Sequence, residues 1–257
     1  MRTRARKAII FAAGLGWRLG RGYPPKSLFE FDGRSLMQGH IELLAACGVE
    51  HVVVGVGYRH HLIEAELNRL SGVAIETVFN PDYREGNIVT LLHLRAHLSD
   101  PGPVLLMDAD VLYDERLLDK LMRSEHDNCL LLDEDCDADE EPVKVWVSDG
   151  KIVDFGKLLK TTKPFEGYGE SVGFFKFSPS GARQLVRACE TFIERRECDA
   201  LYEEAIRELV LSESIDSGFE LVTGLPWTEI DFHSDLDKAR RLLLPRLRES
   251  DSRVAAG

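Results

Sequence analysis

The sequence lacks any long apolar run, any close cysteine pair and any excess of positive charge. Its 257 residues carry 32 Lys and Arg against 44 Asp and Glu, giving a formal net charge of −12. This balance argues against nucleic acid or an anionic membrane as the main partner. Any anion that the protein binds must therefore be met by a local cluster of cations.

The sequence also predicts no targeting segment and no disulfide or zinc site. No apolar stretch approaches membrane-spanning length, and the basic start at residues 1–7 precedes an apolar segment too short for a signal peptide. The five cysteines contain no C-x-x-C pair, so neither a zinc site nor a disulfide framework is predicted. We expect a reducing cytoplasm and no membrane insertion; the choice between monomer and homodimer stays open.

The apolar pattern predicts the fold class. At 257 residues and 44% hydrophobic content, one domain over residues 1–257 is expected. Strand-like and helical segments alternate over about residues 1–127, which predicts a Rossmann-like, mostly parallel sheet with helices on both faces. Residues 128–249 read as a mixed α+β half that begins with a hairpin, and the tail after Glu249 is expected to be loose. Ligands should bind where the parallel strands end.

The first strand leads into a glycine-rich loop that matches neither common phosphate-binding motif. Gly14, Gly16 and Gly20 have one residue too many for a dinucleotide fingerprint. Pro25 stands where a P-loop needs glycine, and proline offers no N–H to a phosphate. What remains is a flat turn whose backbone can approach a triphosphate because Gly14 and Gly16 carry no side chain.

The same loop carries a family resemblance. Its residues Ala12-Ala13-Gly14-Leu15-Gly16-Trp17-Arg18, followed by Pro25-Lys26, resemble the A-A-G-x-G-x-R and P-K signature of nucleotidyltransferases similar to the sugar-phosphate enzymes. Those enzymes join a nucleoside triphosphate to a phosphate-bearing small molecule. The resemblance implies that the loop residues 12–17 bind the nucleotide and that Arg18 and Lys26 are catalytic. Trp17 departs from the small residue that is usual at its position.

Carboxylates at two places are candidates for a metal site. A bound triphosphate calls for a divalent cation, and Mg²⁺ takes one or two carboxylates. Asp108 and Asp110 end an apolar strand, where residues two apart share a face. The resemblance implies Asp110 as a Mg²⁺ ligand, with Asp108 supporting it on the nucleotide side.

A later acidic pair offers the second ligand. The resemblance implies Asp231 as the residue that completes the metal site, and Glu229 is assigned to the acceptor. The alternative is that Asp231 caps the last helix, expected from Ser234. The acidic run at residues 133–141 is predicted to be a solvated loop rather than a metal site.

The segment at residues 80–92 resembles that of the choline-phosphate and 2-aminoethylphosphonate cytidylyltransferases. This resemblance implies that Asn80, Asn87 and Thr90 help to bind CTP, with Tyr58 on the nucleotide side as well. Asn87 has an equally good alternative role as a helix N-cap.

The second half supplies candidates for acceptor binding. A phosphate or phosphonate group is expected to bind to a cationic side chain. Lys157 is the first candidate for this role and Lys144 the second. Gly169 and Glu170 precede a strand, and Glu170 resembles the family glutamate that meets the far end of the acceptor. Aromatic residues of this half are predicted to be core rather than a cage for a quaternary ammonium: Trp146, Phe155, Tyr168, Phe174 and Trp227.

Together these features predict a cytidylyltransferase that uses CTP and Mg²⁺. An acceptor oxygen would attack the α-phosphorus and release pyrophosphate. Phosphocholine, 2-aminoethylphosphonate, another phosphonate and an inositol phosphate all remain open as acceptors. The alternatives are a sugar-1-phosphate nucleotidyltransferase using UTP, GTP or dTTP, and a nucleotide-binding regulator without activity.

Overall fold

The structure is a computed structural model that describes residues 4–20, 22–136 and 142–254, with side chains described up to residue 249. In this part of the chain the strands are β1 (Lys7–Ala12), β2 (Glu30–Phe31), β3 (Arg34–Ser35), β4 (His51–Val56), β5 (Ala74–Phe79), β6 (Val104–Asp108), β7 (Val111–Tyr113), β8 (Asn128–Asp133), β9 (Lys144–Ser148), β10 (Lys151–Gly156), β11 (Gly167–Phe177), β12 (Ser217–Leu221) and β13 (Trp227–Glu229).

The α-helices of the same residues are α1 (Leu36–Ala46), α2 (His60–Leu67), α3 (Asn87–His93), α4 (Arg95–Leu98), α5 (Glu115–Arg123), α6 (Pro179–Glu194), α7 (Tyr202–Leu211), α8 (His233–Lys238) and α9 (Leu244–Val254). Short 3₁₀ turns lie at Trp17–Leu19 and Lys26–Leu28, and a π-helical turn, Ala239–Leu243, joins α8 to α9. Helical structure thus continues to Val254, so the expectation of a loose tail directly after Glu249 is wrong.

One mixed sheet organises the molecule. Its order is β10-β9-β11-β6-β1-β4-β5, with β8 paired to β11 and β12 paired to β8. Strands β6, β1, β4 and β5 are parallel, whereas β11 runs antiparallel to β6, β8 and β9. The sheet therefore confirms the predicted α/β class with a parallel first half and a mixed second half.

Alternation along the central strands builds a core on each face of this sheet. In β1, Ala8 and Ile10 pack into one apolar cluster while Ile9 packs into the other. In β4, Val52 and Val54 divide from Val53 in the same way. Because successive side chains of a strand point to opposite faces, these apolar runs require helices on both sides.

Polar residues set several helix starts. The Ser35 side chain accepts a hydrogen bond from the Gln38 backbone N–H at the start of α1, and Ser178 does the same for Gly181 at the start of α6. Within the described residues no helix is long and apolar enough to cross a membrane.

Candidate active site

A cleft of about 290 Å³ opens at the edge of the sheet where β1 and β6 end. Residues of both halves of the chain line it: Phe11, Ala12, Ala13, Gly14, Gly16, Arg18, Pro25, Lys26, Ser27, Tyr83, Glu85, Asn87, Thr90, Asp108, Ala109, Asp110, Val143, Lys157, Glu170, Ser171, Val172, Gly173, Phe175, Leu201, Glu203, Glu229 and Asp231. Its position agrees with the general location of ligands in parallel α/β sheets.

The glycine-rich loop forms one wall of the cleft. Gly16 has a φ of 60° and a side chain there would lie 3.3 Å from Lys26 Cγ, so glycine allows the lysine to cross the loop closely. Ala12, Ala13, Gly14 and Gly16 line the cleft as predicted. Leu15 and Trp17 are not among its described lining residues, and Trp17 is 76% exposed. Their assignment to the nucleotide stays a prediction.

The two cations of the loop meet carboxylates from distant parts of the chain. Arg18 Nη1 lies 2.5 Å from Asp231 Oδ2, and Lys26 Nζ lies 2.9 Å from Asp110 Oδ2 and also pairs with Asp231. Burial alone would lower the pKa of Lys26, but the charges and hydrogen bonds of Asp110 and Asp231 raise it above its ordinary value. Lys26 is therefore a fixed positive charge at neutral pH.

Three carboxylates converge around that lysine. Oxygens of Asp110, Glu229 and Asp231 lie within 4.8 Å of one another. The pairing of β13 with β7 brings them together, because Glu229 lies opposite Val111 and the Ile230 N–H donates to the Asp110 carbonyl. Burial, followed by the charges of Asp110 and Asp231, raises the pKa of Glu229 well above its ordinary value.

This all-oxygen donor set fits a hard divalent cation such as Mg²⁺. Glu229, assigned to the acceptor from sequence, instead belongs to the carboxylate cluster, which corrects that prediction. The capping alternative for Asp231 is also wrong, because its carboxylate pairs with Arg18 and Lys26. The Asp235 side chain accepts from the Asp231 and Phe232 N–H groups at the start of α8 instead.

Asp108 lies deeper in the cleft than this cluster. Its Oδ1 accepts a hydrogen bond from the Tyr202 hydroxyl at 3.1 Å. Gly173, with a φ of +79°, packs so closely that a Cβ would lie 2.2 Å from Asp108 Oδ2. Burial, then the charges of Glu203 and Asp110, raises the pKa of Asp108 well above its ordinary value. Asp108 thus lines the cleft as predicted, but internal partners hold its carboxyl group.

The segment before α3 holds the candidates for base binding. Asn87 and Thr90 line the cleft. Asn80 does not, and its buried Nδ2 donates to Thr90 Oγ1 at 2.9 Å from behind, so its assignment to the nucleotide is corrected to support of Thr90. Asn87 is the first residue of α3, with Gly86 at the N-cap, so the capping alternative is wrong.

Asn87 ties two helices together. Its Oδ1 accepts from the Tyr202 N–H at 2.7 Å, and its Nδ2 donates to Glu203 at 3.3 Å. A Cβ on Gly86 would lie 2.0 Å from the Ala200 carbonyl oxygen, so glycine is needed where the two segments meet. The starts of α3 and α7 consequently form one continuous wall of the cleft.

Tyr58 stands outside this wall. Its N–H donates to the Ala13 carbonyl, but its side chain is not among the described residues that line the cleft. The aromatic residue at this place is Tyr83, which packs against Gly57. The Tyr58 ring lies 6.5 Å from the Tyr83 ring, centroid to centroid, and its assignment to the nucleotide stays a prediction.

Only some of the residues predicted to bind the acceptor line the cleft. Lys157 and Glu170 line the cleft. Lys144 is buried in β9 and does not reach the described cleft lining. Gly169 is also absent from it: a Cβ there would lie 2.3 Å from the Asp133 carbonyl oxygen, so this glycine serves the close packing of β11 on β8. The predictions for Lys144 and Gly169 are thereby corrected.

The chain matches the family model described as the MobA-like NTP transferase domain over residues 8–154. That match covers more than half of the sequence. The chain belongs to this family. The resemblance drawn from the glycine-rich loop is thereby confirmed, and the nucleotidyltransferase fold with it.

Individual members of the family show similarity over nearly the whole chain. The bifunctional IPC transferase and DIPP synthase of Thermococcus kodakarensis is 27% identical over 246 residues, which are 93% of this chain and 50% of that protein. The CTP:phosphoglutamine cytidylyltransferase of Campylobacter jejuni is 24% identical, covering 90% of this chain and 97% of that one. This NTP transferase chain thus spans about half the length of the Thermococcus relative.

A solved structure extends the comparison to three dimensions. The inositol-1-phosphate CTP transferase from T. maritima superimposes with a TM-score of 0.77 and 26% identity, covering 97% of this chain and 98% of that one. The agreement includes the mixed second half as well as the parallel first half.

Several lining residues of this NTP transferase had no signal in the sequence. Tyr83 and Glu85 belong to the segment of residues 80–92, in which Asn80, Asn87 and Thr90 were predicted to bind the nucleotide instead. Leu201 and Glu203 lie at the N-terminal end of α7, where no site residue was predicted. Neither has a motif around it, and both reach the cleft because α7 docks on α3.

Several aromatic residues of the second half and the first residue of the acidic run are buried. Trp146, Phe155 and Phe174 are buried in the core as predicted, and Trp227 is partly buried, but Tyr168 is 40% exposed, so the core prediction is wrong for Tyr168. None of the five is among the described residues that line the cleft. In the acidic run, Asp133 is buried and accepts from Trp227 Nε1 at 2.7 Å, so it is not part of a solvated loop. Residues 137–141 lie outside the described residues.

Proposed function

We propose that this chain transfers a cytidylyl group from CTP to the phosphate or phosphonate of a small acceptor, releasing pyrophosphate. The observation that carries the proposal is the meeting of Arg18 and Lys26 with the carboxylates of Asp110, Glu229 and Asp231 at one end of a cleft. Nucleotidyl transfer needs this combination because it is mostly positioning and neutralisation of charge.

The chemistry requires little from the protein beyond geometry. An anionic oxygen of the acceptor forms a bond to the α-phosphorus of CTP, and the bond from that phosphorus to the bridging oxygen of the β-phosphate breaks. The electron pair leaves with pyrophosphate. Because the nucleophile is already anionic, no side chain has to remove a proton.

The residues of the cleft divide this work. The loop of residues 12–16 offers a close backbone approach for the triphosphate, and Arg18 and Lys26 balance its charge. Asp110, Glu229 and Asp231 would hold Mg²⁺, which when bound neutralises phosphate oxygens. Asn87 and Thr90 present polar groups for the base or ribose, and Lys157 and Glu170 face the acceptor.

The relatives support the cytidylyl group in particular. Those named CTP:phosphoglutamine cytidylyltransferase and inositol-1-phosphate CTP transferase match 90% and 97% of this chain, respectively. A uridylyl relative also exists, the UTP–glucose-1-phosphate uridylyltransferase AglF of Haloferax volcanii, 28% identical over 234 residues. This second relationship makes sugar-1-phosphate nucleotidyl transfer the alternative function.

A pyrophosphate-release matrix separates these functions. CTP, UTP, GTP and dTTP are each combined with myo-inositol 1-phosphate, 2-aminoethylphosphonate, phosphocholine and glucose 1-phosphate in the presence of Mg²⁺. We expect clear release with CTP and one of the first three acceptors. Preference for UTP, GTP or dTTP with glucose 1-phosphate would establish the alternative, and nucleotide binding without release in any combination would indicate a regulator.

A further inference from the structure

The lining of the cleft is rich in carboxylates beyond the three-residue cluster. Among the described lining residues, Glu85, Asp108, Glu170 and Glu203 add to that cluster, whereas the cations are Arg18, Lys26 and Lys157. Both substrates of the proposed reaction bring negative charge. A carboxylate that lines the cleft away from the metal cluster can accept hydrogen bonds from a ligand, and such bonds offset the cost of burying its charge.

Glu203 is the carboxylate best placed for such a role. It belongs to the first turn of α7, lines the cleft and is only 9% exposed. Asn87 Nδ2 donates to Glu203 Oε2 at 3.3 Å, a hydrogen bond at the long end of the usual range. A carboxylate has room for several more donors, and the cleft is where a ligand can supply them.

Lys157 provides the opposite charge on the same side. Burial raises the pKa of Glu203 to about 7, against the hydrogen bond from Asn87 and the nearby positive charge of Lys157. Lys157 and Glu203 thus both line the cleft, close enough for their charges to interact. A ligand with an anion at one end and a donor at the other matches this pair.

A buried ion pair fixes the relative positions of these two residues. Arg207, one helical turn after Glu203, donates to both oxygens of Asp154 at 2.8 and 2.9 Å. It also donates to the carbonyl oxygen of Leu158, next to Lys157. Gly156 permits this packing, since a Cβ would lie 2.8 Å from Arg207 Nη1. The helix that carries Glu203 and the loop that carries Lys157 therefore share one rigid support.

We propose that Lys157 and Glu203 form the acceptor subsite, in which Lys157 binds the anionic group and Glu203 accepts a hydrogen bond from a hydroxyl or primary ammonium group that the acceptor also carries. This assignment rests on the proposed function. It disfavours a quaternary ammonium at this place, because that group has no N–H or O–H to donate and can meet the carboxylate only through its charge. Two of the aromatic lining residues, Phe11 and Phe175, pack against the ring of Tyr202, the neighbour of Glu203, with ring centroids 4.7 and 5.9 Å apart.

Glu203→Gln is the decisive variant. Because Asn87 Nδ2 donates to residue 203, the glutamine is expected to turn its oxygen towards Asn87. Its NH₂ group then faces the acceptor substrate, so a hydrogen-bond donor stands where the carboxylate oxygen received hydrogen bonds. Loss of a hydrogen bond to a charged group should raise the KM for the acceptor about 10- to 100-fold. The KM for CTP should stay within about twofold of wild type, because the glutamine oxygen keeps the hydrogen bond from Asn87, the residue assigned to the nucleotide.

Glu204→Gln is the matched control. Glu204 is the next residue of α7, but its side chain does not line the cleft: it pairs with Lys160 and lies 3.8 Å from Arg207 Nη1, whose bonds to Asp154 the substitution leaves in place. Its kinetic constants should equal those of wild type. Lys157→Gln serves as a second test and should raise the KM of every acceptor, since all of them carry the anion.

Three acceptors that differ in their hydrogen-bond donors provide a further test. myo-Inositol 1-phosphate tests hydroxyl donors, 2-aminoethylphosphonate tests a primary ammonium, and phosphocholine offers neither. Equal kinetic constants for Glu203→Gln and Glu204→Gln, or use of phosphocholine as efficiently as the other two, would overturn the subsite. If wild type releases no pyrophosphate from CTP at all, the proposed function fails separately. Calorimetric binding of the same three compounds to wild type and Glu203→Gln then decides the subsite on its own.

Discussion

Lys26 Nζ lies 2.9 Å from Asp110 Oδ2 and pairs with Asp231 at the same time. The lysine ammonium therefore stands inside the group of carboxylates that would hold a divalent cation. Two positive charges compete for one set of oxygens, unless the triphosphate draws the lysine towards its own oxygens. This relationship makes the affinity for the metal depend on Lys26.

Lys26→Ala should consequently strengthen metal binding and weaken catalysis. With the ammonium removed, Mn²⁺ should bind the nucleotide-free protein more tightly, as measured by calorimetry or electron paramagnetic resonance. Removal of one preorganised charge should lower kcat on the order of 10²–10³-fold. Lys151→Ala, at an exposed position of β10, is the control and should change neither quantity. Unchanged Mn²⁺ affinity in Lys26→Ala would contradict the competition.

Arg18→Ala should behave differently from Lys26→Ala. Arg18 lies on the glycine-rich side of the loop and pairs with Asp231 of the carboxylate cluster. We expect it to bind the ground-state triphosphate, so the variant should show both a higher dissociation constant for CTP and a lower kcat. Calorimetry and steady-state rates measure the two effects. Normal CTP affinity in Arg18→Ala would remove this residue from the nucleotide site.

The metal itself can be tested through Asp110. Asp110→Asn removes a charge from the cluster, so turnover should nearly vanish, and EDTA should have the same effect on wild type. Asp119→Asn, on the outer side of α5 where the residue pairs with Arg123, is the matched substitution and should remain active. Activity of wild type in EDTA at the rate seen with Mg²⁺ would show that the cluster serves another purpose.

The Asp154–Arg207 pair predicts a pH-dependent contribution to stability. Burial would raise the pKa of Asp154, but hydrogen bonds from Arg207 and from three backbone N–H groups lower it below its ordinary value. Asp154→Asn leaves Arg207 buried without its counter-ion, which should cost about 3–5 kcal/mol in the free energy of unfolding at pH 7.

The sign of the pH effect follows from the lowered pKa. The contribution of Asp154 is complete above the ordinary Asp value of about 3.9 and is lost as the pH falls through the lower folded value. Denaturant titrations at pH 7, 5 and 3 should therefore show a difference between wild type and Asp154→Asn that shrinks at the acid end. Asp149→Asn, exposed in the turn of the same hairpin, controls for the substitution. A difference that grows on acidification would contradict the assignment.

Gly173→Ala tests the packing behind Asp108. Gly173 and Gly224 have φ values of +79° and +83°, but only at Gly173 would a Cβ meet another atom, Asp108 Oδ2 at 2.2 Å. Both alanine variants should lose about 1–2 kcal/mol through the left-handed backbone. Gly173→Ala should lose roughly a further 1–3 kcal/mol through overpacking, and turnover should fall because the Asp108 carboxyl is displaced. Equal stabilities of the two variants would rule out a tight contact.

The parts of the site that sequence reasoning found are those set by local order. Asp110 comes just after β6, and Arg18 and Lys26 lie on the loop that follows β1, two strands with plain apolar runs, so their place at the sheet edge could be inferred. Glu203 could not be found in this way, because its partner Asn87 is 116 residues away and the two meet only when α7 docks on α3. Glu229 was misassigned for a related reason: its neighbours depend on the pairing of β13 with β7, two strands of three residues each.

The same distinction applies to Tyr58, which lies outside the described cleft lining, and to the error at Gly169. A residue at the end of a strand can point into the cleft or away from it, and only the turn that follows decides. Glycine was read as a sign of ligand approach, whereas at position 169 a backbone carbonyl of the neighbouring strand takes the space. Both features depend on tertiary contacts that leave no periodic pattern.

The partners of Lys26 also bear on the order in which the protein becomes competent during synthesis. Asp110 follows the lysine by 84 residues and Asp231 by 205. A growing chain can build the central parallel strands and bring the lysine to its first carboxylate long before translation reaches the second. Competence for turnover should therefore appear late, as a step rather than a gradual rise. A series of chains truncated on either side of residues 227–231 should locate that step.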